Sequence, residues 1–232
     1  MSHKPGRRNF LGAALSSSFA ASLFWRASAR AQALPVAGAA AAQTLPGISG
    51  PGKFVSVQTP GVTTLAGALT GGVREFHLVA EPVTIMLPDM SDGMGMTGRP
   101  LNVWGYNGSM IGPTIEAIEG ETVRITVKNN LPEPTTVHFH GIELPIEMDG
   151  VPDFSQDPIP PGGTFVYEFP LNQSGTYFYH PHYMTAKQVG LGMMGFFIIH
   201  PKTPTAAQIV DHDYSYFLHT WKVNCNRSRI LT

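Results

Sequence analysis

The chain has 232 residues, a formal net charge of −1 and only 13% charged residues, with 25 Gly and 20 Pro. A balance so near neutral excludes the basic surface that nucleic-acid binding requires, and so many turn residues exclude a bundle built from amphipathic helices. The single cysteine, Cys225, excludes an internal disulfide, so the 43% of apolar residues must supply a core that holds unaided.

In chain order, residues 1–33 read as an export signal. Arg7-Arg8 followed by Asn9, Phe10 and Leu11 is the arrangement of a twin-arginine signal. The moderately apolar stretch from Leu11 to Trp25 contains serines and is too short to span a bilayer. Small-residue cleavage patterns follow at Ala27-Ser28-Ala29, Ala29-Arg30-Ala31 and Ala31-Gln32-Ala33, and the last places the cut after Ala33. The twin-arginine route carries folded proteins, often with the cofactor inserted, and no later segment is long and apolar enough to span a membrane after cleavage. Residues 34–72, rich in Ala, Gly, Pro and Thr, read as a flexible linker or loosely packed arm.

From Val73 the pattern turns to strands. Phe76-His77-Leu78-Val79 and Val83-Thr84-Ile85-Met86-Leu87 are β-rich runs. Leu101 to Tyr106 is a short strand, closed by the turn signal Asn107-Gly108. After Pro113 to Ala117 and the turn Glu119-Gly120-Glu121, Thr122 to Val127 alternates apolar with polar, the period of a half-buried strand. Further strands are expected at Thr135–His140, Thr164–Phe169, Gly175–Tyr179, Gly195–His200 and Tyr214–Trp221. Seven or more short strands separated by Gly/Pro turns predict an all-β, Greek-key β-sandwich.

Four of the nine histidines form two His-X-His units, His138-Phe139-His140 and His180-Pro181-His182. On a strand, residues two apart share a face with Cα atoms about 6.5–7 Å apart. That is wide for one undistorted chelate and suits two adjacent metal ions. Imidazole suits copper and zinc. A structural zinc site usually includes thiolates, and no Cys lies near these histidines; a catalytic zinc takes three protein ligands and water. Gly141 frees the backbone after His140, and Pro181 places the second unit at a strand end or edge.

Other features are read as structural. Met86, Met90, Met94 and Met96 surround Asp89 and Asp92, where thioethers suit Cu(I), but the pattern also fits a plain loop. His77, His200, His212 and His219 read as structural residues in or beside strands.

The sequence resembles the multicopper oxidases over about residues 101–200. The matching text is Asn107-Gly108 through Gly112-Pro113-Thr114-Ile115, Gly120-Glu121-Thr122-Val123, Thr136-Val137-His138-Phe139-His140-Gly141 and Asp149-Gly150-Val151-Pro152. It continues with Ile159-Pro160-Pro161-Gly162, Gly175 through His182, and Gly190 through Gly195. The resemblance implies a cupredoxin-like N-terminal domain (73–203) that gives four histidines to a trinuclear copper cluster shared with a further cupredoxin domain. It implies His138 on the type 2 copper, His140 and His180 on one type 3 copper, and His182 on the other. Asp149 matches an acidic residue that helps deliver protons as dioxygen is reduced to water, and is the expected catalytic residue.

Such an oxidase also needs a type 1 copper held by a thiolate in a His-Cys-His run. Cys225, flanked by Asn224 and Asn226, is not in one. Residues 204–232 read as the start of a connection to a second domain, and Asn224 to Thr232 departs from the family as a truncation, partial gene or frameshift would. The expected function is therefore the first domain of an exported, laccase-like oxidase, periplasmic or secreted, that is inactive alone and takes electrons from an unidentified reductant. The alternative is a non-catalytic exported copper-binding module.

Overall fold

The computed structural model describes residues 54–65, 67–89, 97–221, 223–224 and 229–230. Its strands are β1 (Thr64–Leu65), β2 (Ala68–Thr70), β3 (Val73–Asp89), β4 (Thr97–Tyr106), β5 (Thr114–Ile118) and β6 (Thr122–Asn129), followed by β7 (His138–His140), β8 (Thr164–Pro170) and β9 (Gly175–His180). A short helix α1 (Thr185–Gly190) precedes β10 (Gly195–His200), and β11 (Val223–Asn224) and β12 (Arg229–Ile230) follow.

Alternation sets which face each strand buries. Along β6, Val123, Ile125 and Val127 are fully buried while Thr122, Arg124 and Thr126 point outward. β10 is apolar throughout and lies inside its sheet, between β5 and β9. One sheet runs β1-β5-β10-β9-β7. The other runs β11-β12-β4-β3-β6-β8, with β2 paired to β3. Phe76, Leu78, Ile125 and Tyr167 of the second sheet meet Ile115, Phe139, Tyr179 and Phe197 of the first in one core. From β4 to β9 the chain changes sheet at each step, the Greek-key crossing expected of this all-β sandwich.

Several elements differ from the sequence reading. The two apolar runs between Val73 and Leu87 are one strand, β3, which changes partner at Ala80. Val73–Ala80 lies parallel to β6, and Ala80–Asp89 lies antiparallel to β4. The expected strand Tyr214–Trp221 is absent, with only a bridge from Gln58 to Tyr214. Its aromatic residues are docked singly: Phe217 stacks on Phe196 at 3.9 Å, and Trp221 Nε1–H donates to the Gly190 carbonyl at 2.9 Å. Of the expected strand Thr135–His140 only His138–His140 pairs as a strand. Helix α1 was not expected, since six residues carry too little periodicity to declare themselves.

Within the stretch expected to be a loose arm, the segment Phe54 to Thr59 is packed, while Ala68 to Gly72 stay exposed. Val57 and Thr59 are buried, and Ser56 Oγ and the Val57 N–H donate to Glu116 Oε1 at 2.6 and 2.9 Å. His200 Nε2 meets Glu116 Oε2 at 2.7 Å, so a fully buried carboxylate ties this segment to β5 and β10. A low-charge Thr/Gly/Pro composition does not separate an edge segment from a linker. The signal at 1–33, Cys225, and Met90, Met94 and Met96 lie outside the described residues.

The Asn107-Gly108 turn forms as expected, with φ of 52° and 77°. Asn107 Oδ1 accepts the Val79 N–H at 2.7 Å, and its Nδ2 donates to the His77 carbonyl at 3.0 Å. Asn107→Ala loses both bonds and puts a Cβ without compensation in the left-handed region. The expected cost is about 1–2 kcal/mol, read from the urea midpoint at unchanged m.

Candidate metal centre

The histidines are positioned by the pairing of β7 with β9. The register sets His138 opposite His180, Phe139 opposite Tyr179, and His140 opposite Phe178. Phe139 and Tyr179 are fully buried in the core, so pleating turns His138, His140 and His180 to the outer face of the sheet. Tyr179 O–H donates to the Pro113 carbonyl at 2.7 Å, and burial pushes its phenol far above the usual range. Tyr179→Phe strands that carbonyl and is expected to lower stability by about 1–2 kcal/mol in thermal unfolding.

One ligand nitrogen each from His138, His140 and His180 lies within 4.8 Å of the others, a group able to hold a metal ion. His140 Nδ1 and His180 Nε2 are 3.2 Å apart. The rings of His140, His180 and His182 lie 5.5, 5.3 and 5.4 Å from that of His138. His182 is close to His138 but outside the tight group of three. The structure thus brings all four sequence-selected histidines to one place.

The outer hydrogen bonds decide which nitrogens are available. His180 Nδ1 donates to its neighbour's carbonyl, Pro181 O, at 3.0 Å, leaving Nε2 bare. Burial, reinforced by the three nearby imidazoles and opposed by that bond, lowers the His180 pKa and favours the neutral ring. His138 Nδ1 donates to the Asp149 carbonyl at 2.7 Å, with Asp149 Oδ1 at 3.2 Å, so Nε2 is its free nitrogen. Asp149 therefore touches the site through His138.

Other supporting residues carried no signal in the sequence. Tyr167 Oη accepts the Val137 N–H at 2.9 Å, fixing the peptide before His138. Thr136 Oγ1 accepts the His182 N–H at 3.3 Å. Gln188 of α1, fully buried, accepts from Thr135 Oγ1 at 2.7 Å and donates to the Pro134 carbonyl at 2.9 Å. It bolts the segment after His182 to the segment before β7. Phe178 stacks on His140 at 4.6 Å.

A family model described as multicopper oxidase matches residues 92–204. This region belongs to the multicopper oxidase family. Copper resistance protein A of Pseudomonas syringae pv. tomato is 40% identical over 136 residues, covering 57% of this chain and 22% of that protein. Laccase-1 of Cryptococcus neoformans var. neoformans is 39% identical over 129 residues, covering 53% of the chain and 20% of the relative. The chain thus spans about a fifth of the length of these curated relatives. The solved multi-copper oxidase of Pseudomonas thermotolerans superposes with a TM-score of 0.53 at 37% identity, covering 58% of this chain and 31% of that one. The Blue Copper Oxidase of Nitrosomonas europaea gives 0.53 at 34% identity, covering 59% and 41%.

The multicopper oxidase family implies copper, and the donors fit it. All are imidazoles, good copper ligands. Two ligands at about 2.0 Å from one ion in a roughly tetrahedral arrangement stand about 3.3 Å apart, close to the 3.2 Å between His140 Nδ1 and His180 Nε2.

Proposed function

We propose that this domain contributes His138, His140, His180 and His182 to a trinuclear copper cluster completed by a further cupredoxin domain. The assembled, laccase-like oxidase couples one-electron oxidation of a reductant to reduction of dioxygen to water. The observation that carries the reading is the convergence of His140 Nδ1 and His180 Nε2 beside His138 on one sheet face. Copper, when bound, supplies the one-electron chemistry.

The chain's own residues do the rest. His140 and His180 would hold one type 3 ion, His138 the type 2 ion, and His182 the other type 3 ion. Burial, which lowers the His180 pKa, favours the neutral ring whose lone pair a metal requires. The Asp149 carbonyl holds His138 in the tautomer that frees Nε2. The Asp149 carboxylate, 33% exposed beside His138, can take a proton from water and pass it to the rim of the site.

Export by the twin-arginine route to the periplasm or medium is part of this proposal, on the strength of Arg7-Arg8-Asn9-Phe10-Leu11. No helix among the described residues is long and apolar enough to cross a membrane.

Residues 1–232 contain no His-Cys-His run to hold an electron-entry copper. The copper-loaded 232-residue polypeptide is therefore expected to consume no dioxygen with a phenolic or metal-ion reductant, and sustained turnover in an oxygen electrode would refute this. Reading the coding DNA past codon 232 in all frames tests the larger claim. His-Cys-His and His-X-X-His-X-His runs are expected there, and their absence would turn the reading towards a copper-carrying module.

A further inference from the structure

On the outer face of the β7–β9–β10 sheet, one register row reads His140, Phe178, Phe196 across three neighbouring strands. Phe178 and Phe196 lie outside the packed core between the sheets. Their rings form a layer of their own. Phe217, from the segment after β10, stacks on Phe196 at 3.9 Å and meets Phe178 edge-on at 6.5 Å. Phe178 in turn lies nearly parallel to two imidazoles, 4.6 Å and 18° from His140, and 5.1 Å and 26° from His180. One half-buried ring thus bears on both histidines whose nitrogens approach to 3.2 Å.

We propose that Phe178 is a positioning residue that holds the His140 and His180 rings so that Nδ1 of one and Nε2 of the other converge, with Phe196 and Phe217 bracing it from behind. The inference rests on the copper-site reading above. Its physical basis is that a neutral imidazole on an exposed strand chooses freely between ring flips and tautomers. A flat ring on one side removes the tilted orientations and leaves the in-plane choice to the nitrogens' partners. Those partners then decide it. His180 Nδ1 spends its hydrogen on Pro181 O, so His180 Nε2 is an acceptor. The hydrogen between the two rings must therefore sit on His140 Nδ1 when no metal is present. Both nitrogens are thus already aimed at the place a metal ion would take, and its binding would release that hydrogen to solvent as a proton. Phe178 is half-buried on the outer face, so replacing it leaves the core between the sheets intact.

The test uses the 232-residue chain with three variants: Phe178→Leu, which keeps apolar bulk and loses the plane, Phe178→Tyr, which keeps the plane, and His140→Ala. Tautomers are read in the metal-free protein from two-bond nitrogen–proton NMR correlations. Affinity is read by Cu(I) titration against a bicinchoninate competitor, and folding by circular dichroism. His140 is expected as the Nδ1–H tautomer in the parent and in Phe178→Tyr, and averaged or Nε2–H in Phe178→Leu. Copper affinity should fall about 10–100-fold in Phe178→Leu and recover in Phe178→Tyr. Parent-like tautomer and affinity in Phe178→Leu, with His140→Ala still losing copper, overturns the positioning role alone. Retention of copper by His140→Ala overturns the site reading beneath it. Should Phe178→Leu unfold, Phe178→Tyr alone decides: loss of the Nδ1–H signature despite its retained plane overturns the proposal.

Discussion

His140→Ala should reduce the chain's affinity for copper by at least about 100-fold, the upper end of what even outer-sphere changes around metal ligands produce, while moving the thermal midpoint by no more than a degree or two. The asymmetry follows from where the ring sits. His140 is exposed at the end of β7, and its Nδ1 faces His180 Nε2 rather than a core partner. Truncation therefore removes a donor without opening a cavity in the core, and what it loses besides is the single bond to His180 Nε2. His77→Ala is the matched control. It removes an exposed imidazole from β3, in the other sheet, and should leave copper binding unchanged. Competition titration and differential scanning calorimetry on the same samples read both quantities. Equal affinity in His140→Ala and the parent would remove His140 from the ligand set, and with it the shared-ion arrangement of His140 and His180.

What the sequence disclosed follows the physics each residue obeys. Period-two patterns such as Val123, Ile125 and Val127 announce a strand because burial on one face is the only way to satisfy them. The two His-X-His units announce a shared face for the same reason. Their meeting across β7 and β9 depends on register, which is set by Phe139 and Tyr179 entering the core. The supporting residues were invisible because nothing local marks them. Gln188 lies 53 positions from its partner Thr135, and Tyr167 lies 30 from Val137. The arm before Val73 misled because uncharged Thr/Gly/Pro text is common to linkers and to segments that dock by backbone and hydroxyl groups. Tyr214 to Trp221 misled in the opposite sense. Alternating aromatics suggested a ladder, whereas Leu218 is 97% exposed and Phe217 and Trp221 dock one by one.

Gly150→Ala should be among the most destabilising single-methyl additions in this chain, costing about 3–5 kcal/mol. Gly150 has φ of 73°, where any side chain is strained. A Cβ there would stand 2.0 Å from the Val137 carbonyl oxygen, 2.5 Å from its carbon and 2.9 Å from the His138 nitrogen. All three are backbone atoms, so no rotamer change relieves the contact. Val137 cannot retreat freely either, because its N–H, in the adjoining peptide, is held by Tyr167 Oη at 2.9 Å. The neighbouring Asp149 carbonyl meanwhile holds His138 Nδ1 at 2.7 Å. Any movement that accommodates the methyl group therefore carries His138 with it, and the folded fraction of Gly150→Ala should also bind copper less tightly. Gly162→Ala separates the two costs. Its φ is 76° and nothing lies within 4 Å of the added Cβ, so it incurs only the left-handed penalty of about 1–2 kcal/mol. Urea denaturation of both variants gives the comparison directly. A Gly150→Ala loss no larger than that of Gly162→Ala would mean the loop around Asp149 yields easily. In that case the loop does not hold His138 in place.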